Sequence, residues 1–431
     1  MSNLGSISAV LFFVLAVNVS IAQQEKSTLI RYATVHVGNG EVIDNAYVVF
    51  HGSEISRVSD ANKSRINPSD YDTIIDADGK HLYPGFILMD SRIGLIEIDQ
   101  VKATHDFRET GKFLPNVRAL PAFNAESKIL RTIRSNGVLM AQIAPNGAVI
   151  SGTSSLMKLD GDNWQESVFQ GDEGIFLEWP SRARMTGWWA EPGKSKENKK
   201  YEDQVSEIIQ FFAEAKADQA LDGHVHANLR FESMADLFNG DQRLYVRVDH
   251  AKDILDAVQF FRESGVQNMV IVGGAEADLV INELKENDIP VIIDRVHKLP
   301  IHTDDPIEKP YRIAGVLQKA GIKIAFATSG SMETMIGRNL PFQVGTAIYH
   351  GLPYEQAIRA LSLSPAEIMG VSETIGSIEP GKVATFFLCE GDPLDIRTNQ
   401  IEAAYIMGKP IDLSNHQSRL AEKFMKKHGV D

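Results

Sequence analysis

The sequence predicts an α/β chain: a (β/α)8 TIM-type barrel with a small β-sandwich domain formed by both termini. Three observations predict it. Short apolar runs alternate with amphipathic helical stretches through the middle of the chain. Stretches that read as strands and turns flank that region on both sides. The chain has 431 residues and 43% hydrophobic content, enough to bury a core of that size.

The elements follow in order. Ile7 to Ala22 is apolar apart from Ser8, Asn18 and Ser20, and Ser20-Ile21-Ala22 offers small residues for cleavage before Gln23. A signal peptide over 1–22 is expected, and with it a periplasmic or secreted protein. Residues 23–83 read as short strands, with turns at Gly38-Asn39-Gly40, His51-Gly52 and Asp78-Gly79. Over 84–375, strands are expected in Tyr83 to Met89, Val138 to Ile143, Leu244 to Val248, Met269 to Val272, Pro290 to Ile293 and Ile322 to Ala327. Two more near Ser154 to Leu159 and Ile175 to Trp179 bring the number to eight. Between them, Asp253 to Ser264 sets Ile254, Leu255, Val258 and Phe261 at helical spacing. Strand text returns over 376–412, in Val383 to Leu388 and Glu402 to Met407, and completes the small domain. Residues 413–431 form a tail expected to be helical. Lys194 to Lys200 reads as a solvated charge run.

The net charge is −14, from 57 acidic against 43 basic residues, which argues against a nucleic-acid partner. A small anionic ligand remains compatible with it. Cys389 stands alone, so neither an internal disulfide nor a multi-cysteine metal site can form.

Particular motifs sharpen the reading. Asp76-Ala77-Asp78-Gly79-Lys80 leads into Tyr83-Pro84-Gly85-Phe86-Ile87. Far downstream come Leu363 to Val371, Gly376-Ser377-Ile378-Glu379-Pro380-Gly381-Lys382 and Gly391-Asp392-Pro393-Leu394. In this order and spacing they resemble the amidohydrolase superfamily, specifically its imidazolonepropionase-like branch, over Leu29 to Met407. The resemblance implies the barrel with its small β domain. It also implies hydrolysis of carbon–nitrogen bonds other than ordinary peptide bonds. One or two divalent metals, zinc by default, would lower the pKa of a bound water and polarise the scissile carbonyl.

The ligand positions that the resemblance assigns carry other residues. Asp90-Ser91-Arg92 stands where His-x-His is implied, Arg247 at the strand-five histidine, Gly274 at the strand-six histidine and Ser329 at the strand-eight aspartate. Among these only Asp90 suits a cation, and two guanidiniums repel one. No cofactor is therefore expected; if a metal is held, Asp90 and Lys158 are the candidates. Lys158 falls on strand three or strand four. Arg92 and Arg247 either form an anion site by bidentate hydrogen bonding or each pair with a nearby acid such as Asp90 or Asp249.

Other motifs carry less. His224-Val225-His226 resembles the missing pair but reads as a loop ahead of strand five. Ser155-Leu156-Met157-Lys158 matches Ser-x-x-Lys, yet residues three apart on a strand face opposite ways. Asp294 and His297, in the loop after strand seven, could make a general acid/base pair, or cap a rigid loop. Arg338, after strand eight, is a further ligand-binding candidate or a structural ion pair. Two functions follow: an exported amide hydrolase with an eroded metal centre, or a non-catalytic relative. The second would bind an anionic small molecule or a partner protein, as a homo-oligomer or with an intact paralogue.

Overall fold

The structure is a computed structural model that describes residues 26–188, 191–220 and 228–430. The leader at 1–22 and the His224–His226 pair lie outside the described residues.

Two eight-stranded sheets carry the chain. Five strands come first: β1 (Ser27–His36), β2 (Val42–His51), β3 (Glu54–Asp60), β4 (Thr73–Asp76) and β5 (His81–Pro84). The barrel strands follow as β6 (Phe86–Ser91), β7 (Val138–Ile143), β8 (Ile150–Lys158) and β9 (Val168–Glu178). An excursion, β10 (Ala183–Trp188) and β11 (Glu191–Glu197), forms a separate hairpin where a charge run was expected. The barrel resumes with β12 (Arg243–Val248), β13 (Met269–Gly273), β14 (Val291–Ile293) and β15 (Ile324–Phe326). Finally β16 (Phe386–Cys389), β17 (Ile401–Ile406) and β18 (Lys409–Pro410) return to the first sheet.

That first sheet has the order β18-β17-β16-β5-β1-β2-β3, with β4 also against β1. β5 joins the two ends of the chain, parallel to β1 on one side and antiparallel to β16 on the other. Its buried face gathers Val35, Val48, Phe50, Ile55, Leu82, Phe386 and Leu388. The helix His416–His428 ends the described chain, with Asn415 and Ser418 capping it reciprocally.

The second sheet is a TIM-type barrel, ordered β6 to β9 and then β12 to β15. A parallel bridge from Met89 to Ala327 brings its ends together. One strand departs from the expected all-parallel scheme. β8 runs antiparallel to both β7 and β9. Only Ala144 to Val149 separate β7 from β8, and a parallel crossover needs about a dozen residues or more. The chain therefore turns back at once as a hairpin.

Alternate residues fill the barrel interior: Ile87, Met89, Met140, Leu156, Phe176, Tyr245, Val270, Val272, Ile292 and Ala325 form one buried cluster. Ile368, Met369 and Val371, from the Leu363 to Val371 motif, belong to the same cluster. Glu367 on that helix takes Arg359 at 2.6 Å and Lys323, just before β15, at 3.2 Å. The motif thus seats a helix against the amino ends of the strands. That leaves the carboxyl ends for a site.

Candidate functional site

A cavity of about 730 Å³ opens at the carboxyl ends of the barrel strands. Asp90, Glu178, Arg247, Asp249, His250, Gly273, Asp294 and Ser329 all contribute to its wall. Glu178 and Val248 end their strands, and Asp294 follows directly on Ile293, so each functional group stands where a strand gives way to a loop.

Asp90 and Arg247 make the centre of the floor. Arg247 Nη2 donates to Asp90 Oδ1 at 2.5 Å, and Nε donates to Oδ2 at 3.2 Å. The guanidinium also reaches the Pro145 carbonyl at 3.1 Å and lies 4.4 Å from the centre of the Phe176 ring. Asp90 is 1% exposed and sits at φ +43°, an uncommon region that aspartate tolerates better than most side chains. Its N–H donates to Gln142 Oε1, and Arg247 fixes its carboxylate. Burial disfavours the Arg247 cation, but Asp90, joined by Glu178 and Glu333, outweighs it and raises the guanidinium pKa.

A buried polar network supports this floor. Glu173 on β9, fully enclosed, accepts from Gln142 Nε2 at 2.6 Å, from Ser154 and from Tyr245 at 2.7 Å. Gln142 thereby links Asp90 to Glu173. Burial pushes the Glu173 carboxyl up, against the pull of its three donors.

Arg92 turns away to Glu333. Its Nε donates to Glu333 Oε2 at 2.9 Å and its backbone N–H to Oε1 at 2.9 Å. Ser91 Oγ adds a third bond at 2.6 Å, and Gly330 accepts from Arg92 Nη2. Both guanidiniums are therefore paired with carboxylates, Arg92 with Glu333 and Arg247 with Asp90, while the cavity that Arg247 lines stays open.

The remaining expected residues divide. Ser329 donates to Asp294 Oδ1 at 3.2 Å, so these two meet inside the cavity. Burial pushes the Asp294 carboxyl up, although Lys298 opposes it. Glu178, open to the water of the cleft yet ringed by protein, is also pushed up by its surroundings, while Arg247 pulls it down. His297 does not join Asp294. Its Nε2 lies 2.7 Å from Thr346 Oγ1, on the helix Leu340–Tyr349, and it is absent from the cavity wall. Arg338 is exposed beside the turn that enters β7, where its carbonyl accepts from Asn136, so it does not reach the mouth. Lys158 ends the antiparallel β8 and lies beside Lys409 of the terminal sheet, away from the cavity. It is not a bridging ligand in this geometry. Gly274 is corrected by one position. A Cβ on Gly274 would meet Val291, Ala277 and Ile271, whereas Gly273 lines the cavity and its Cβ would meet Asp249.

The sequence reading missed a neighbouring cluster. His250 follows β12, Glu276 follows β13 and His302 lies in the loop after β14. Their donor atoms all lie within 4.8 Å of one another. Burial opposes ionisation of Glu276, but the Ala251 N–H, His302 and His250 outweigh it and hold its carboxyl below the usual range.

The Asp294 shift predicts a pH dependence. A carboxyl raised on folding contributes stability that is complete below the ordinary aspartate pKa and is lost as pH rises through the folded value. Asp294→Asn removes this titration. Its stability should gain on the parent as pH rises from about 4, the ordinary aspartate value. Denaturant unfolding at several pH values reads the difference, and a constant gap would mean that Asp294 is not raised.

A TIM-type barrel with an acidic cavity at its carboxyl ends has its candidate site where barrels of this kind carry theirs. Residues 190–416, just over half of the chain, match the amidohydrolase family, and the chain belongs to that family. An imidazolonepropionase of Flavobacterium psychrophilum is 35% identical over 114 residues, 24% of this chain and 27% of that protein. One of Flavobacterium johnsoniae is 39% identical over 80 residues, 18% and 20% of the two chains. The chain thus aligns with about a quarter or less of these curated relatives, on the imidazolonepropionase-like branch. Among solved structures, an amidohydrolase from Thermotoga maritima has a TM-score of 0.75 at 23% identity, covering 89% of this chain and all but 1% of its own (99%). A Xaa-Pro dipeptidase with bound methionine reaches 0.56 at 15% identity, with coverage of 90% and 100%. These two likenesses are of fold.

Proposed function

We propose that this amidohydrolase is an exported enzyme that hydrolyses a carbon–nitrogen bond of a small amide or cyclic amide, with Asp294 as its acid and base. The single observation behind this reading is the Asp294 carboxyl at the barrel mouth, raised by burial and bonded to Ser329. A carboxyl so placed can take a proton from an attacking water and return it to the leaving nitrogen. The cavity wall carries Asp90, Glu178, Asp249, Asp253 and Asp294 against Arg247 and Lys112. That balance suits a neutral or cationic substrate better than an anionic one. The small domain, 23–83 with 376–412, is read as a β-sandwich braced on the 84–375 barrel; the pairing of β5 with both β1 and β16 supports this.

The family's metal does not fit the five positions that the resemblance assigns to it. Both Asp90 oxygens are taken by Arg247, and Arg247 Nη1 is a buried donor without a partner among the described residues. A spare N–H takes an acceptor, not a cation. In the test, the purified protein is assayed against small amides, lactams and cyclic imides, with Asp294→Asn beside it. A loss of about 10²–10⁴ in kcat/KM is expected for the variant. Turnover that survives the substitution would remove Asp294 from the reaction.

The Asp90–Arg247 pair itself favours a second reading, a non-catalytic relative that binds a ligand or a partner protein, such as an intact paralogue. Silence across the whole panel, with a saturable thermal shift by one compound, would select it.

A further inference from the structure

We propose that His250, Glu276 and His302 form a divalent-metal site of the zinc class on the rim of the cavity, outside the five positions that the family resemblance assigns. The three residues come from successive loops, those following β12, β13 and β14. Their donor atoms lie within 4.8 Å of one another. Tetrahedral zinc, with bonds of about 2.0–2.1 Å, needs donors roughly 3.3 Å apart, so ring rotations of the order of an ångström close the set. Two imidazoles and a carboxylate also form a known catalytic donor set for zinc, one that leaves a fourth position open.

The surroundings point the same way. Glu276 is only 10% exposed, and its Oε2 accepts the Ala251 N–H at 2.7 Å, which fixes the carboxylate between the two rings. A backbone bond from Glu276 N–H to the Asp249 carbonyl holds the loop against β12. His302 Nε2 stands 2.6 Å from Glu276 Oε1, and His250 Nδ1 stands 3.7 Å from Oε2. The His250 ring makes no capping bond to the helix Ala251–Ser264 that it precedes. His302 is 48% exposed, so a bound ion keeps an open side toward solvent. Because His250 also lines the cavity, the ion would stand at the substrate's entrance. Binding releases any proton shared between His302 and Glu276, so affinity falls in acid.

This inference does not depend on the hydrolase reading. The test is titration of the untagged protein, stripped of metal, with zinc by calorimetry and with cobalt by visible absorption. About one equivalent of zinc and the intense visible bands of four-coordinate cobalt are expected. His302→Ala, at a half-exposed loop position, and Glu276→Gln should each weaken binding at least tenfold. His297→Ala, on the same loop, should bind like the parent. Absence of saturable binding, parental affinity in His302→Ala and Glu276→Gln, or equal loss in His297→Ala would each overturn the site. Zinc binding without amide turnover would leave the site standing and sink only the hydrolase reading. Turnover by a protein that binds no zinc would do the reverse.

Discussion

Replacing Arg247 by alanine is expected to cost about 3–5 kcal/mol of folding stability, the range for breaking a buried ion pair from one side. Asp90 would then keep a side chain that is 2% exposed, with its backbone N–H still bonded to Gln142 and no cation among the described residues on its carboxylate. The pair's attraction alone does not set this magnitude, because desolvation offsets much of it. The cost comes from the charge left behind. Removing both charges, in Arg247→Met with Asp90→Asn, should recover most of the loss. Denaturant unfolding of the two single variants and the double gives the coupling. Singles that each cost less than about 1 kcal/mol would mean that water reaches the pair, as it does for surface pairs.

Glu333→Ala should destabilise by a similar amount, about 3–5 kcal/mol, for a different reason. Glu333 is fully buried and accepts three bonds: from Ser91 Oγ, from the Arg92 N–H and from Arg92 Nε. Alanine strands all three donors and leaves the guanidinium, among the described residues, with the Gly330 carbonyl and the face of the Phe107 ring. Glu333→Gln keeps one oxygen acceptor and should fall between parent and alanine. Burial alone pushes the Glu333 carboxyl up, so part of its ionic character is maintained by Arg92. If glutamine proved as damaging as alanine, charge rather than hydrogen bonding would be the decisive contribution.

Much of the barrel was legible because its strands are short apolar runs separated by helices of clear period. Asp90, Arg247, Asp294 and Ser329 could be placed at strand ends, and all four reach the cavity. The direction of β8 was not read, since alternation carries no polarity; the brevity of Ala144 to Val149 was the signal that carried it. That reversal is what removes Lys158 from the mouth. At Gly273 and Gly274, both with positive φ, the usual two-residue alternation breaks, and the strand-six assignment slipped by one. His297 and Asp294 are close in sequence, yet the loop bends His297 toward Thr346. Glu333 meets Ser91 and Arg92 over the seam where β15 comes beside β6, and His250, Glu276 and His302 meet from three loops. Long-range convergence of that kind leaves no local pattern.

The sheet assembled from both chain ends has a consequence for biosynthesis. A polypeptide made from its amino end exposes β5 long before its antiparallel partner β16 exists. Until Phe386–Cys389 leaves the ribosome, one flank of β5 is an open row of peptide groups able to recruit foreign strands. The arrival of β16 against β5, not the folding of any early segment, therefore closes the window for aggregation.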